Sequence, residues 1–198
     1  ANTVATIDFA KQFKGHGWVG IRYQIEPTEE YNEIIIHIRF KETDSRLQQE
    51  TLGILGVNLI YGAFYKYNDP KKLLRYLYDH LDKDQLEIDT INFSGPRFAD
   101  VDNRLMSLQL VKNGMTDAVM FNPEGKNILP AAILYKKNIL AFRGSFRPVT
   151  KVNMDMYEKS LKMFLEENKV EKENTLVIFE ITLSNLRSDG EIDERDFM

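Results

Sequence analysis

QLEIDTINFSGPRFADVDNRLMSLQLVKNGMTDAVMF, residues 85–121, holds the pattern on which the fold reading turns. Gln85 to Phe93 has the length and the branched and aromatic content of a strand. Pro96 to Lys112 then sets Phe98, Val101, Leu105, Leu108 and Val111 at helical spacing, and Asn113 with Gly114 supplies a C-cap signal. Asp117 to Phe121 follows as a short apolar strand. Strand, helix, glycine turn and strand in about thirty residues predict a βαβ unit with parallel strands and a right-handed crossover. The expected fold is therefore α/β, a mixed sheet with a parallel βαβ core, flanking helices and edge hairpins.

Toward the amino terminus the pattern changes to strict alternation. Val19, Ile21, Tyr23 and Ile25 share one face of a strand, as do Ile34, Ile36, Ile38 and Phe40, and PTEEYN between the two runs predicts a hairpin. Ser45 followed by Gln48 has the form of a capping box, opening a helix that is apolar on nearly every side from Leu52 to Tyr65. Such a helix is expected at the centre of the molecule, with Gly53, Gly56 and Gly62 admitting a close helix neighbour. Asp69 and Pro70 open a second helix whose stripe is Leu73, Leu74, Leu77, Tyr78 and Leu81.

Toward the carboxyl terminus, Ala131 to Tyr135 and Ile139 to Arg143 read as two strands of a meander. A helix from about Asn153 to Asn168 turns Met156, Tyr157, Ser160, Leu161, Phe164 and Leu165 inward, and Thr175 to Leu183 is the last strand. SDGEIDERDFM at the end resembles the acidic first turn of a further helix, so the chain is expected to be a fragment of a longer protein.

With 43% hydrophobic and 28% charged residues, the 198-residue chain has a globular composition and is expected to form a single domain. No apolar run reaches membrane-spanning length, no signal peptide precedes the first strand and there is no cysteine, so cytoplasmic placement without disulfides is expected. The net charge of −4 argues against nucleic acid as a partner. The charge is unevenly spread. No acid lies between Glu124 and Asp155, where Lys126, Lys136, Lys137, Arg143, Arg147 and Lys151 all fall, whereas the tail from Glu173 is acidic.

The three histidines, His16, His37 and His80, have no metal-ligand spacing, so neither metal nor cofactor is expected. His37 falls on the strand face opposite Ile36 and Ile38 and is expected to be structural. GHGW at 15–18 reads either as a ligand-gripping loop or as a turn entering a strand. The sharpest chemical signal is NILAFRGSFRPVTKVNMDM, residues 138–156. An apolar strand there runs through Gly-Ser and Pro into a helix start. A glycine turn at the carboxyl end of a strand exposes backbone N–H groups, and a helix N-terminus adds partial positive charge. The candidate anion-binding set is Arg143, Gly144, Ser145, Arg147, Thr150 and Lys151, and the ligand it suits is a phosphorylated small molecule or nucleotide. The alternative is a non-catalytic interaction or regulatory domain that packs on a missing carboxyl-terminal half or on a second copy of the chain.

This segment resembles the GSFxPxHxGH signature of the nucleotidylyltransferases that make dinucleotides from ATP. Gly144, Ser145, Phe146, Pro148 and Val149 fall in register, while Thr150 and Asn153 stand where that family has its two histidines, and Val152 where it has the intervening glycine. If the chain is an enzyme, the resemblance implies nucleotidylyl transfer; without the imidazoles that clamp the transferring phosphoryl group, that activity is expected to be absent. FKGHGWVG, NEIIIHIRF, QQETLGILGVNLIYGAF, VDNRLMSLQLVKNGMTDAVMF and LYKKNILAFRGSFRPVTKVNMDM together resemble the amino-terminal half of an uncharacterised bacterial family. Its members carry the labels nicotinate-nucleotide adenylyltransferase and TonB-dependent receptor. The resemblance implies no assigned catalytic residues.

Overall fold

The computed structural model describes residues 1–7, 13–167, 169–187, 190, 192 and 194. The chain divides into two compact units, Ala1–Leu129 and Pro130–Met198. In the first, β1 (Asn2–Ile7), β2 (Phe13–Tyr23) and β3 (Asn32–Phe40) are followed by α1 (Ser45–Tyr65) and α2 (Pro70–Tyr76). Then come β4 (Leu86–Ser94), a 3-10 turn at Pro96–Phe98, α3 (Asn103–Lys112) and the small pair β5 (Met120–Phe121) and β6 (Asn127–Ile128). The second holds α4 (Pro130–Leu134), β7 (Asn138–Arg143), α5 (Lys151–Glu166), a 3-10 turn at Lys172–Asn174, β8 (Thr175–Glu180) and α6 (Leu183–Leu186).

Both units mix helices with sheet, as expected for an α/β chain, but the pairing differs from expectation. The first sheet runs β1-β2-β3-β4 and every neighbour is antiparallel. β5 pairs with β6, so the parallel β4–β5 partnership read from residues 85–121 does not form. The parallel pair lies in the second unit, where β7 and β8 run side by side from Asn138 opposite Thr175 to Arg143 opposite Glu180. α5 bridges them, making a βαβ arrangement of two strands.

The expected hairpin is present as β2 and β3, in register from His16 opposite Arg39 to Tyr23 opposite Asn32. Its alternation does what period-2 patterning predicts: Ile34, Ile36 and Ile38 are fully buried and Phe40 nearly so. Together with Val19 and Tyr23 they face Leu55, Leu59 and Ala63 of α1, Leu73 and Leu74 of α2 and Met106 and Leu110 of α3. β4 supplies Leu86, Ile88, Ile91 and Phe93 to the same core. Two of those positions are even and two odd. A β-bulge reconciles them, since His37 faces Thr90 while Ile38 faces Ile88, leaving Asp89 as the extra residue. The outer edge of β4 is held by two side-chain amides and a main-chain carbonyl. Asn103 donates to the Phe93 carbonyl and accepts from its N–H, the Asn127 amide donates to the Ile91 carbonyl, and the Ile88 N–H donates to the Met115 carbonyl.

α1 begins at Asp44, whose carboxylate accepts from the N–H groups of Arg46 and Leu47, rather than at a Ser45–Gln48 capping box. Gln48 instead donates to the Glu42 carbonyl. Nor is α1 central: Thr51, Leu55, Asn58, Leu59, Gly62 and Ala63 are buried, but Val57 is 66% and Ile60 54% exposed. Of its three glycines only Gly62 meets a helix neighbour, through Leu73 of α2; beyond Gly53 and Gly56 there is open space. α2 opens on Asp69 as expected, with Leu73, Leu74 and Leu77 fully buried. Where one helix is expected from Pro96, a 3-10 turn and α3 form instead, because Gly95 sits at φ 105° and Asp102 caps afresh at Arg104 and Leu105. The C-cap at Asn113 with Gly114 at φ 65° stands.

Ala131 to Leu134 belongs to helix α4 rather than to a strand, consistent with Pro at the first helical position and two helix-favouring alanines. α5 starts at Lys151, and Met156 on it is 52% exposed instead of inward. The last strand ends at Glu180, after which Thr182 caps α6. GHGW lies inside β2, neither loop nor turn; a Cβ at Gly17 would collide with the Asn2 carbonyl, so glycine there lets β1 pair. The helix expected to begin near the carboxyl terminus falls largely outside the described residues. No helix among them is long and apolar enough to cross a membrane.

Asn58 ties α1 to the chain following α2. Its amide donates to the carbonyls of Leu77 at 3.1 Å and Asp79 at 2.7 Å. Asn58→Leu keeps the branched shape but strands both carbonyls, and is expected to lower the unfolding free energy by about 1–3 kcal/mol in urea titrations.

Candidate functional site

The β7–α5 turn is fixed at both ends by its own side chains. Arg143, the last residue of β7, meets Glu180, the last residue of β8, through Nε to Oε2 at 3.1 Å and Nη2 to Oε1 at 2.9 Å. The pair is two-thirds exposed on the arginine side, so its contribution to stability is small. The Gly144 N–H donates to the Glu180 carbonyl at 3.1 Å and continues the parallel ladder. Ser145 is exposed, and Phe146, at φ 49°, turns its ring edge-on to Phe179 with centroids 5.3 Å apart. A Cβ at Gly144 would press on that ring at 3.1 Å, so the turn closes over itself. Arg147 precedes Pro148 through a cis peptide bond and donates to the Asn185 carbonyl at α6.

Thr150 is the N-cap of α5, in a reciprocal capping box with Asn153. The Thr150 N–H and hydroxyl both reach Asn153 Oδ1, at 2.8 and 2.7 Å, and the Asn153 N–H returns to Thr150 Oγ1 at 3.3 Å. Lys151 is exposed in the first helical turn. The structure thus gathers Arg143 and Gly144 at the carboxyl ends of the parallel strands, sets Thr150 and Lys151 at the helix start, and joins Arg147 to α6. A residue the sequence reading passed over, Glu180, carries the counter-charge. It lies 37 residues beyond Arg143 and arrives only through parallel pairing. Thr150 and Asn153, at the positions of the nucleotidylyltransferase histidines, are engaged with each other.

Two features of the first unit also concentrate polar groups. The Asp89 carboxylate lies 2.8 Å from His37 Nδ1, with side chains 7% and 3% exposed. The bulge aims Asp89 at this histidine, and the rings of Trp18 and His16 lie 4.9 and 5.6 Å from the imidazole. Elsewhere a cleft of about 420 Å³ is lined by Lys66, Lys72, Arg75, Tyr76, Tyr78 and Asp79. Beside it, hydrogen bonding from the Lys72 N–H holds the Asp69 carboxyl below its ordinary range. Desolvation raises the Tyr76 hydroxyl, and the Asp79 carboxylate adds to the effect. The sequence carried a signal for the cleft, in the close run of Lys66, Lys71, Lys72 and Arg75, but none for the His37–Asp89 pair, since a bulge is invisible in one strand alone. No group of three or more His, Asp or Glu side chains able to hold a metal is present among the described residues.

No family model, curated protein or solved structure matches the chain.

The His37–Asp89 pair is expected to act as a local lock on the bulge. Asp89→Ala should cost about 1–3 kcal/mol by leaving a buried imidazole N–H without its acceptor. In a double-mutant cycle with His37→Ala, the coupling measured by urea unfolding should account for most of that loss.

Proposed function

We propose that the second unit binds the phosphate group of a small molecule, nucleotides among them, at the β7–α5 turn. One observation carries the reading: the turn leaves the carboxyl end of a strand in a parallel pair and runs into the start of the 16-residue helix α5. Open α/β sheets bind ligands outside the carboxyl ends of their strands, and a helix N-terminus offers N–H groups and partial positive charge to an anion. Lys151 adds an exposed cation in the first turn of α5. The bonds from Arg143 to Glu180 use Nε and Nη2, so Nη1 remains for a second acceptor. Glu180 opposes the anion, and an incoming phosphate competes with it for the guanidinium.

The competition gives the test. In calorimetric titrations of inorganic phosphate, ATP and nicotinate mononucleotide, Lys151→Ala and Arg143→Ala are each expected to weaken binding about tenfold, and high salt to weaken it further. Glu180→Gln is expected to strengthen it. Equal, negligible heats from all four proteins would return these residues to solvated surface charge. Incubation with ATP and nicotinate mononucleotide together is expected to release no pyrophosphate, because neither Thr150 nor Asn153 replaces an imidazole clamp.

A further inference from the structure

The stretch from Tyr61 to Asp79 holds five of the nine tyrosines of the chain and four cations, Lys66, Lys71, Lys72 and Arg75, so rings and positive charges alternate along it. Folding brings them together. The end of α1 contributes Tyr61, Tyr65 and, at the C-cap, Lys66. Spacings of three and four residues put Lys72, Arg75, Tyr76 and Asp79 on one side of α2 and of the turn that continues it. Gly62 lets the two helices close, since a Cβ there would come within 3.1 Å of the Leu73 side chain. Lys66 from α1 and Lys72, Arg75, Tyr76, Tyr78 and Asp79 from the other segment line the cleft of about 420 Å³.

The cleft is anchored from below. Asn58 of α1 donates to the Leu77 and Asp79 carbonyls, and the Tyr78 hydroxyl donates to the Leu86 carbonyl of β4 at 3.0 Å. The rings form a ladder beside it: Tyr65 lies on Tyr61 at 4.7 Å and Tyr61 on Tyr76 at 4.9 Å, their planes tilted by 31° and 33°. Lys66 Nζ lies 5.9 Å from the centroids of both Tyr61 and Tyr76. Three cations thus meet one carboxylate in the cleft, and that carboxylate, Asp79, accepts a hydrogen bond from Tyr76. Lys72 meets Asp69 at 3.3 Å in an exposed pair, which is worth little in water, and Arg75 is exposed. Like charges converging on one place repel, and an anion between them offsets the repulsion.

We propose that this cleft binds a nucleoside monophosphate, with the phosphate against Lys66, Lys72 and Arg75, the base against the Tyr76 ring and Asp79 accepting from an amino group of the base. Stacking of bases on tyrosine tolerates any base, while arginine grips phosphate through two hydrogen bonds. The volume suits a small molecule with a ring rather than a bare phosphate. The net charge of −4 opposes an extended polyanion, so a mononucleotide fits better than a strand. All of these residues belong to the first unit, and the assignment does not rest on the reading of the β7–α5 turn.

The test separates the two places by using the Arg143→Ala/Lys151→Ala variant as parent, which removes cations of the turn and leaves the cleft intact. In calorimetric titrations of that parent, adenosine monophosphate is expected to bind saturably, and ribose 5-phosphate and adenosine each about tenfold more weakly, since each lacks one set of contacts. Adding Arg75→Ala should weaken the nucleotide about tenfold and leave adenosine unchanged, and Arg75→Lys should recover part of the loss. Tyr76→Leu should weaken the nucleotide and adenosine by similar factors and leave ribose 5-phosphate unchanged. Upfield shifts of the base protons on binding, lost in Tyr76→Leu, should report the stacking directly. Absence of saturable binding, ribose 5-phosphate as tight as the nucleotide, indifference to Arg75→Ala, or a short oligoadenylate binding more tightly than the mononucleotide would each overturn the assignment.

Discussion

The parity of β4 is the constraint on which the first unit depends. Successive side chains of a strand alternate between faces, so Leu86 and Ile88 cannot join Ile91 and Phe93 in one core unless a residue is added between them. Asp89 is that residue, and its own side chain has then to be accommodated on the far face, where water is largely excluded. His37 accommodates it, directly across the bulge at 2.8 Å. The hydrophobic demand on one face of the sheet and the buried His37–Asp89 contact on the other are thus consequences of one insertion. With β4 set in this phase, Ile34, Ile36 and Ile38 complete the apolar floor on which α1, α2 and α3 rest.

Much of the first unit was legible because its signals are local. The alternation in residues 18–40 fixes a hairpin and its buried face, and Asp69-Pro70 fixes a helix start, since both features act within one or two turns of chain. The parallel pair was harder. Residues 85–121 and 138–180 both read strand, helix, strand, and nothing within either segment says which strands will meet. The outcome rests on partners distant in sequence, namely β3 on one side of β4 and Asn103, Asn127 and Met115 on the other. α1 failed for a related reason: a stretch without charge predicts that water is to be excluded, but not whether the same chain does the excluding.

The candidate site illustrates the same limit in electrostatics. Counting charges along the sequence isolates a basic island between Glu124 and Asp155, yet Arg143 is matched by Glu180 from outside it. Threonine and asparagine at 150 and 153 looked like losses from a histidine pair; in the structure they form a capping box that satisfies N–H groups at the start of α5. Beside these internal bonds the Phe146 and Phe179 rings pack edge to face, and Lys151 stands exposed in the first turn of α5.

The side-chain amides along the outer edge of β4 have a further consequence. Asn103 takes both main-chain groups of Phe93 that a neighbouring strand would use, Asn127 takes the carbonyl of Ile91, and Met115 supplies the carbonyl for Ile88. An edge of a sheet left open invites strands from other molecules, the first step of fibrous aggregation. Here that edge is plugged by two asparagines and a main-chain carbonyl rather than by charge or by proline, so in a crowded solution β4 offers little template to a strand from another molecule.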